Sequence, residues 1–292
     1  MHIPVLKDEV IQCLSPQPNE NFVDCTCGFA GHTQEILRKN GPDGKVLGIE
    51  WDSYVFEKTK QQNIERLVLV NDSYRNLKKI VDEQKFGPVS GILLDLGMSS
   101  WDIESSGRGF SFQKDEVLDM RYAREGQSDL TAQTIVNEWP EEEIKKILQE
   151  YGEEPFAGSI AGGIARAREK EKIATTFQLV NIIKKSAPAW YARRKINPAT
   201  KTFQALRIAV NDELASLREV LPQAVDCLAA GGRLAIISFH SLEDAIVKKF
   251  FKEYSKNKIF KSIAKKPIRP LWSEITANPR ARSSRLRAAI KL

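Results

Sequence analysis

Nowhere does this chain approach the run of about eighteen apolar residues needed to cross a bilayer. Its start also sets Lys7, Asp8 and Glu9 where a secretory leader would be apolar. Histidine is scarce, three in 292 residues, which argues against a histidine-built metal centre. The four cysteines, Cys13, Cys25, Cys27 and Cys227, form no disulfide framework and lack zinc-ligand spacing, Cys25 and Cys27 being one residue apart. These absences exclude a membrane partner and a resident metal from the expected reading, and they point to a reduced, cytoplasmic protein. Internal repeats and low-complexity tracts are missing as well.

The charge is unevenly spread. Residues 248–292 hold fourteen Lys and Arg against only Glu253 and Glu274, a local charge of +12, which leaves −6 for residues 1–247 out of the total of +6. A second basic run, Lys184, Lys185, Arg193, Arg194, Lys195, Lys201 and Arg207, meets no acid until Asp212. Either cluster is a solvated surface or the footprint of a polyanion.

Near the amino end, Phe22-Val23-Asp24 reads as a strand, Gly28-Phe29-Ala30-Gly31-His32 as a glycine turn into a helix, and Val46-Leu47-Gly48-Ile49-Glu50 as a second strand. Such a unit brings backbone N–H groups up to a ligand at a helix start, and an acid about 20 residues on accepts hydrogen bonds from ribose. An acid at the first strand tip, Asp24, would repel a pyrophosphate but attract a ligand bearing ammonium and sulfonium groups. S-adenosylmethionine fits better than NAD. The His32 backbone N–H is expected to matter more than its ring.

Apolar runs predict strands at 22–25, 46–50, 67–71 and 90–95, alternating with helices as in a parallel α/β sheet. Asp95 leaves the fourth strand where an open sheet of this kind has its crevice. It is the candidate catalytic acid, able to hold an exocyclic amine in line and accept its N–H. Tyr74, after the third strand, either borders a purine or is a half-buried aromatic at a sheet edge. Residues 129–187 carry only helical periodicity, through Ile135, Trp139, Ile144, Ile147, Leu148, Ile160, Ile164, Leu179, Ile182 and Ile183. Beyond them Phe203, Leu206, Val210, Leu214, Leu217 and Leu221 predict one helix face stopped by Gly231-Gly232. A buried strand at 234–239 and an antiparallel hairpin near 259–263 and 286–290 would finish the sheet. His240 and Ser241 are expected at the crevice rim. Phe110 and Phe112 either stack bases or pack a core; Arg121 and Arg207 either clamp phosphate or pair with Asp119 and Glu213.

These strings resemble, nearly end to end, the RsmH (MraW) family of bacterial 16S rRNA (cytosine-N4) methyltransferases. The match runs through His2 to Leu6, Asp24 to His32, Asp95 to Ser100, Arg108 to Phe112, Asp119 to Arg121, Tyr151 to Glu154, Thr202 to Ile208, Ser238 to Asp244 and Asn278 to Ser283. The resemblance implies a class I S-adenosylmethionine-dependent methyltransferase (Rossmann-like) fold with an inserted all-helical domain. The expected division is a core first part at 1–126, a helical RNA-recognition insertion at 127–199, and a core second part with the basic segment at 200–292. It implies S-adenosylmethionine as cofactor, and as substrate the N4 amine of a decoding-centre cytosine in 16S ribosomal RNA within the 30S subunit. Monomer and homodimer both stay open. Carried onto this sequence, the cofactor contacts fall on Ala30, Gly31, His32, Glu50, Tyr74, Asp95 and Asp102. The family usually has Gly, Asp, Phe and Gln where Ala30, Glu50, Tyr74 and Asp102 stand. Asp102 replaces an amide that donates with a group that only accepts when ionised. The Ala30 and Asp102 departures motivate a rival, a nucleoside-binding ribosome-assembly factor with weakened catalysis. An NAD-linked dehydrogenase is disfavoured by the missing third glycine and by Asp24.

Overall fold

The computed structural model describes residues 4–122, 129–193 and 197–292. His2 and Ile3 of the amino-terminal string, the expected boundary at 126/127, and Arg194 and Lys195 of the second basic run lie outside these residues. The chain divides into two compact units, residues 1–97 with 214–292, and residues 98–213.

The first unit is built on a seven-stranded sheet in the order β3-β2-β1-β4-β5-β7-β6. Strands β1 (Asn21–Asp24), β2 (Val46–Ile49), β3 (Leu67–Val70), β4 (Val89–Asp95) and β5 (Leu228–Ser238) are parallel, and β7 (Arg285–Lys291) pairs antiparallel with β5 and with β6 (Phe260–Ser262). The parallel strands carry apolar residues on both faces because both faces are packed against helices and neighbouring chain. One cover packs Leu47, Ile49, Ile92, Leu94, Ile236 and Phe260, and the other Phe22, Val46, Leu93, Ala235 and Ile237. This is the class I methyltransferase arrangement that the resemblance implies. Going from β1 the chain first winds outward through β2 and β3, then returns to β4 on the other side, so the strand order reverses between β1 and β4. A crevice opens at the carboxyl ends of strands where such a reversal occurs.

The second unit is mainly helical: Ala132–Glu138, Glu141–Glu150, Ala157–Arg168, Thr176–Ser186 and Ala199–Asn211 are its longer helices. Thr131 and Thr175 cap two of them, each side-chain oxygen accepting from a backbone N–H of the first turn. The apolar stripe read from the sequence is its core, with Ile135, Ile144, Leu148, Ile160, Ile164, Leu179 and Ile183 fully buried. The unit is wider than the expected 127–199. It takes in the loop after residue 97, because Phe110, Leu118 and Met120 lie in that core, and the helix from Ala199, because Phe203, Leu206 and Val210 do.

The long helix expected across residues 203–221 is two. Asp212 turns left-handed at φ 48° between Ala199–Asn211 and Glu213–Cys227. The Asn211 side chain donates to Met120 O at 2.8 Å and accepts from Tyr122 N–H at 2.9 Å, while Arg207 grips Glu213 with two bonds of 2.8 and 2.9 Å. Those bonds fix the break within an otherwise continuous apolar pattern.

One ion cluster in the first unit gives a stability test. Asp244, on the helix Ser241–Lys256, accepts from Arg287 Nε at 2.7 Å and Arg285 Nη1 at 3.2 Å, both on β7. Burial pushes its carboxyl up, but the two guanidiniums together outweigh it and hold the group below its ordinary 3.8. A depressed carboxylate stabilises the fold above its unfolded value, and that contribution disappears as pH falls through the folded one. Asp244→Asn is therefore expected to cost about 1 kcal/mol near neutrality. In urea titrations the gap to wild type should close below pH 3.8; a gap of the same size in acid would mean packing, not charge, carries the effect.

Candidate active site

The tips of β1, β2, β3 and β4 are tied to one another. Thr26 Oγ1 accepts the Asp95 N–H at 2.7 Å, joining β1 to β4, and Asn71 Nδ2 donates to Glu50 O at 2.7 Å, joining β3 to β2. Across the glycine turn, the Gly28 N–H donates to Glu50 Oε2 at 2.8 Å and Thr59 Oγ1 donates to the Gly28 carbonyl at 2.8 Å. Gly28 sits at φ +55°, a left-handed backbone that glycine adopts without strain. Ala30 takes φ 64° with its methyl fully buried, an arrangement costing about 1 kcal/mol relative to glycine. The helix Gly31–Lys39 then begins with no side chain capping its first turn, just after the carboxyl end of β1.

Glu50 has a structural duty besides the one expected of it. Its second oxygen, Oε1, accepts the Asp52 N–H at 2.7 Å, and Asp52 in turn caps the helix Ser53–Lys60. A carboxylate has about four lone-pair sites and can accept several hydrogen bonds at once. Tyr74 opens a short 3-10 turn after Ser73 and is half-buried against the core beneath the sheet.

Asp24 is not the exposed anion that its strand-tip position suggests. It is 1% accessible; Oδ2 accepts from Thr33 Oγ1 at 2.7 Å and Oδ1 from Thr26 N–H at 3.2 Å. Burial raises its pKa, against the lowering effects of His32 and of both hydrogen bonds. Asp24 thus braces the glycine turn from within, and the carboxylate at the switch point that is partly accessible, at 19% of its side chain, is Asp95.

There the His32 ring, 6% accessible, brings Nε2 to 3.6 Å from Asp95 Oδ2. Both ring nitrogens and Asp95 Oδ1 are buried without a hydrogen-bond partner. Buried polar groups are ordinarily satisfied, so two unsatisfied ones side by side at the reversal of strand order make this the candidate place for a polar ligand. The His32 ring, expected from the sequence to matter less than its backbone N–H, thus lies against the candidate catalytic carboxylate.

His240, at the end of β5, is the N-cap of Ser241–Lys256, accepting from the Glu243 N–H, while Glu243 Oε2 accepts from the Phe239 N–H at 2.8 Å. Its place is at the carboxyl end of the sheet as expected, with its ring turned to capping.

The remaining candidates belong to the second unit. Asp102 Oδ2 accepts from Ser99 N–H at 2.9 Å and Ser99 Oγ at 2.7 Å, and Oδ1 from Arg108 Nη2 at 2.8 Å. An amide could not make the ionic bond to Arg108, which explains the acid locally. Arg121 pairs with Asp119 and Arg207 with Glu213, so of the two readings of these arginines the internal pairing holds. Phe110 stacks on Tyr122 at 5.2 Å and Phe112 meets the edge of Phe203 at 5.6 Å; both pack the core. In the second basic run Lys184, Lys185 and Arg193 are exposed, whereas Lys201 donates to Glu153 O at 2.5 Å.

A model of the MraW methylase family matches residues 1–292. The ribosomal RNA small subunit methyltransferase H of Deinococcus radiodurans is 44% identical over 286 residues, covering 98% of this chain and 88% of the relative. Its counterpart in Symbiobacterium thermophilum is 42% identical over 309 residues, covering 100% of this chain and 96% of the relative.

Proposed function

The chain belongs to the MraW methylase family, and on that premise we propose that it methylates the exocyclic N4 amine of a decoding-centre cytosine in small-subunit ribosomal RNA. It is a methyltransferase whose donor is S-adenosylmethionine. The observation that carries the finer reading is the Asp95 carboxylate at the β1/β4 reversal, with Oδ1 unsatisfied beside the buried His32 ring.

The residues fit the donor. Ala30, Gly31 and His32 offer backbone N–H groups at an uncapped helix start, Glu50 places a carboxylate, the group that ribose hydroxyls donate to, at the tip of β2, Tyr74 borders the tip of β3, and the Asp95 carboxylate favours positive charge nearby. Asp102 belongs to the second unit, where Ser99 and Arg108 already engage it. Bound there, S-adenosylmethionine supplies a methyl group activated by a sulfonium sulfur.

The protein's task is then positioning. The lone pair of a cytosine amine is delocalised into the ring, so the amine must be held in line with the methyl and partly freed from conjugation. Asp95 accepts one of its N–H groups, which orients the lone pair and stabilises the positive charge that grows on nitrogen as the new bond forms. The His32 ring lies beside that carboxylate, Nε2 being 3.6 Å from Oδ2, and limits the positions it can take. The target base leaves its stack to reach this depth, as bases do in other enzymes that modify them. The exposed cations of the carboxyl end and of the second unit hold the phosphate backbone meanwhile.

The test is transfer of labelled methyl from S-adenosylmethionine to 30S subunits that lack the modification, followed by nucleoside analysis. N4-methylcytidine is the expected product; label on any other atom would overturn the reading. Raising salt from about 50 to about 200 mM should raise KM on the order of 10- to 100-fold while kcat holds, because phosphate contacts are screened. An insensitive KM would remove the basic clusters from substrate binding.

A further inference from the structure

Among the described residues the large apolar side chain most open to solvent is Trp272, 79% accessible, and its neighbour Leu271 is 67% accessible. Isolated exposed apolar residues are ordinary. This one stands at the end of a segment, residues 261–273, that carries Lys261, Lys265, Lys266 and Arg269 and no acid. All four cations are exposed, and none has a carboxylate partner among the described residues.

The segment is held rather than loose. Ile268 exchanges two backbone hydrogen bonds with Leu286 of β7, at 2.8 and 2.9 Å. Beyond Trp272, Glu274 Oε1 accepts the Leu6 N–H at 2.7 Å, which pins the short helix Trp272–Ala277 to the amino-terminal region of the same unit. A broad indole is therefore presented on a fixed base, 79% open to solvent, at the end of a run of exposed cations.

We propose that Trp272 is a stacking platform for an unpaired base of single-stranded RNA, with Lys265, Lys266 and Arg269 holding the phosphates on either side. Stacking tolerates any base, because each has a π-face, while the cations supply affinity through counterion release. Two other occupants fit the observations less well. A membrane surface needs a wide apolar helix face, and Trp272–Ala277 is one short helix with Ser273 and Thr276 exposed. A second copy of this chain would bring two such cationic segments together. The proposal deepens the reading of the substrate as RNA and rests on it, yet binding can be measured without catalysis.

The experiment uses the full chain and a fluorescein-labelled oligocytidylate, with fluorescence anisotropy read across a salt series. Trp272→Ala should weaken binding by about 5- to 150-fold, and Trp272→Phe should restore most of it. The double change Lys265→Gln and Lys266→Gln should lower the magnitude of the salt slope by about 1.4. Thermal unfolding should be unaltered in all three, the side chains being exposed. Equal affinity of Trp272→Ala and wild type would overturn the platform, as would a loss confined to anionic vesicles or a changed sedimentation of the free protein. Methyl transfer, read in parallel, separates the two readings. Wild type that binds RNA through Trp272 but methylates none sinks the enzymatic assignment alone. Full transfer with Trp272→Ala binding intact sinks the platform alone.

Discussion

Asp95→Asn is expected to lower methyl transfer on the order of 10²- to 10⁴-fold while leaving the melting temperature nearly where it was. The fold should tolerate the change because the bond that ties this position to β1 uses the Asp95 N–H, which donates to Thr26 Oγ1 and is kept. Oδ1 has no partner to lose. What disappears is the negative charge that meets the cation growing on the amine, and an amide presents only a neutral oxygen, or turns an N–H toward the substrate. The loss should therefore fall mainly on kcat, with a smaller effect on donor affinity measured by calorimetry. Combining it with His32→Gln should cost less than the two effects added, because the side chains lie 3.6 Å apart and act on the same carboxylate. Turnover by Asp95→Asn within about threefold of wild type would take this residue out of the chemistry and leave the substrate amine to be oriented by other groups.

How far such a site can be read from sequence depends on which forces are local. The first four strands are legible because parallel strands buried on both faces must be apolar throughout, and an acid ending such a run, as in Asp95 and Glu50, stands out against it. Observed bounds of Val46–Ile49 and Leu67–Val70 fall within a residue of the apolar runs. The helical stripe of the second unit is legible for a similar reason, since Ile144, Ile147 and Leu148 recur at helical spacing and are buried. The true role of Asp24 is not legible. Its burial depends on Thr33, which the helix Gly31–Lys39 folds back over the strand tip, and nothing in the spacing distinguishes that from an open carboxylate. The same holds for His32, whose ring meets Asp95 only because β1 and β4 are neighbours in the sheet. The break at Asp212 is hidden by a pattern that continues through it, and its causes, Met120 and Tyr122, lie about ninety residues earlier in the chain. Part of the loop after residue 97 is core, through Phe110, Leu118 and Met120, and their irregular spacing gives no sign of it.

That loop holds the substitution expected to harm stability most. Gly107 and Gly109 both lie in the left-handed region, at φ +70° and +78°, so either one replaced by alanine pays the same backbone strain. Their surroundings differ. A Cβ on Gly107 meets nothing within 4 Å, whereas one on Gly109 would stand 2.3 Å from Val117 O and 3.3 Å from Leu118 Cα. Those atoms are backbone and they are fixed: the Leu118 N–H donates to Ala174 O at 3.1 Å, the Met120 N–H to Arg108 O at 2.7 Å, and the Gly109 N–H to Glu116 Oε2 at 3.0 Å. To relieve the contact the chain must give up some of these bonds or move Phe110 and Leu118 within the core. Gly107→Ala is thus expected to cost about 1 kcal/mol, once the reduced freedom of the unfolded chain is allowed for, and Gly109→Ala at least about 3 kcal/mol. With two units in the chain a single unfolding free energy is not assured. The comparison is best read by hydrogen exchange at buried amides of the second unit such as Ile135 and Leu179, with amides of β4 in the first unit as reference. Exchange in the second unit faster by on the order of 100-fold in Gly109→Ala, and by only about fivefold in Gly107→Ala, is the expected pattern. Equal effects of the two alanines would mean that the left-handed backbone, and not the approach of Val117, sets the requirement for glycine.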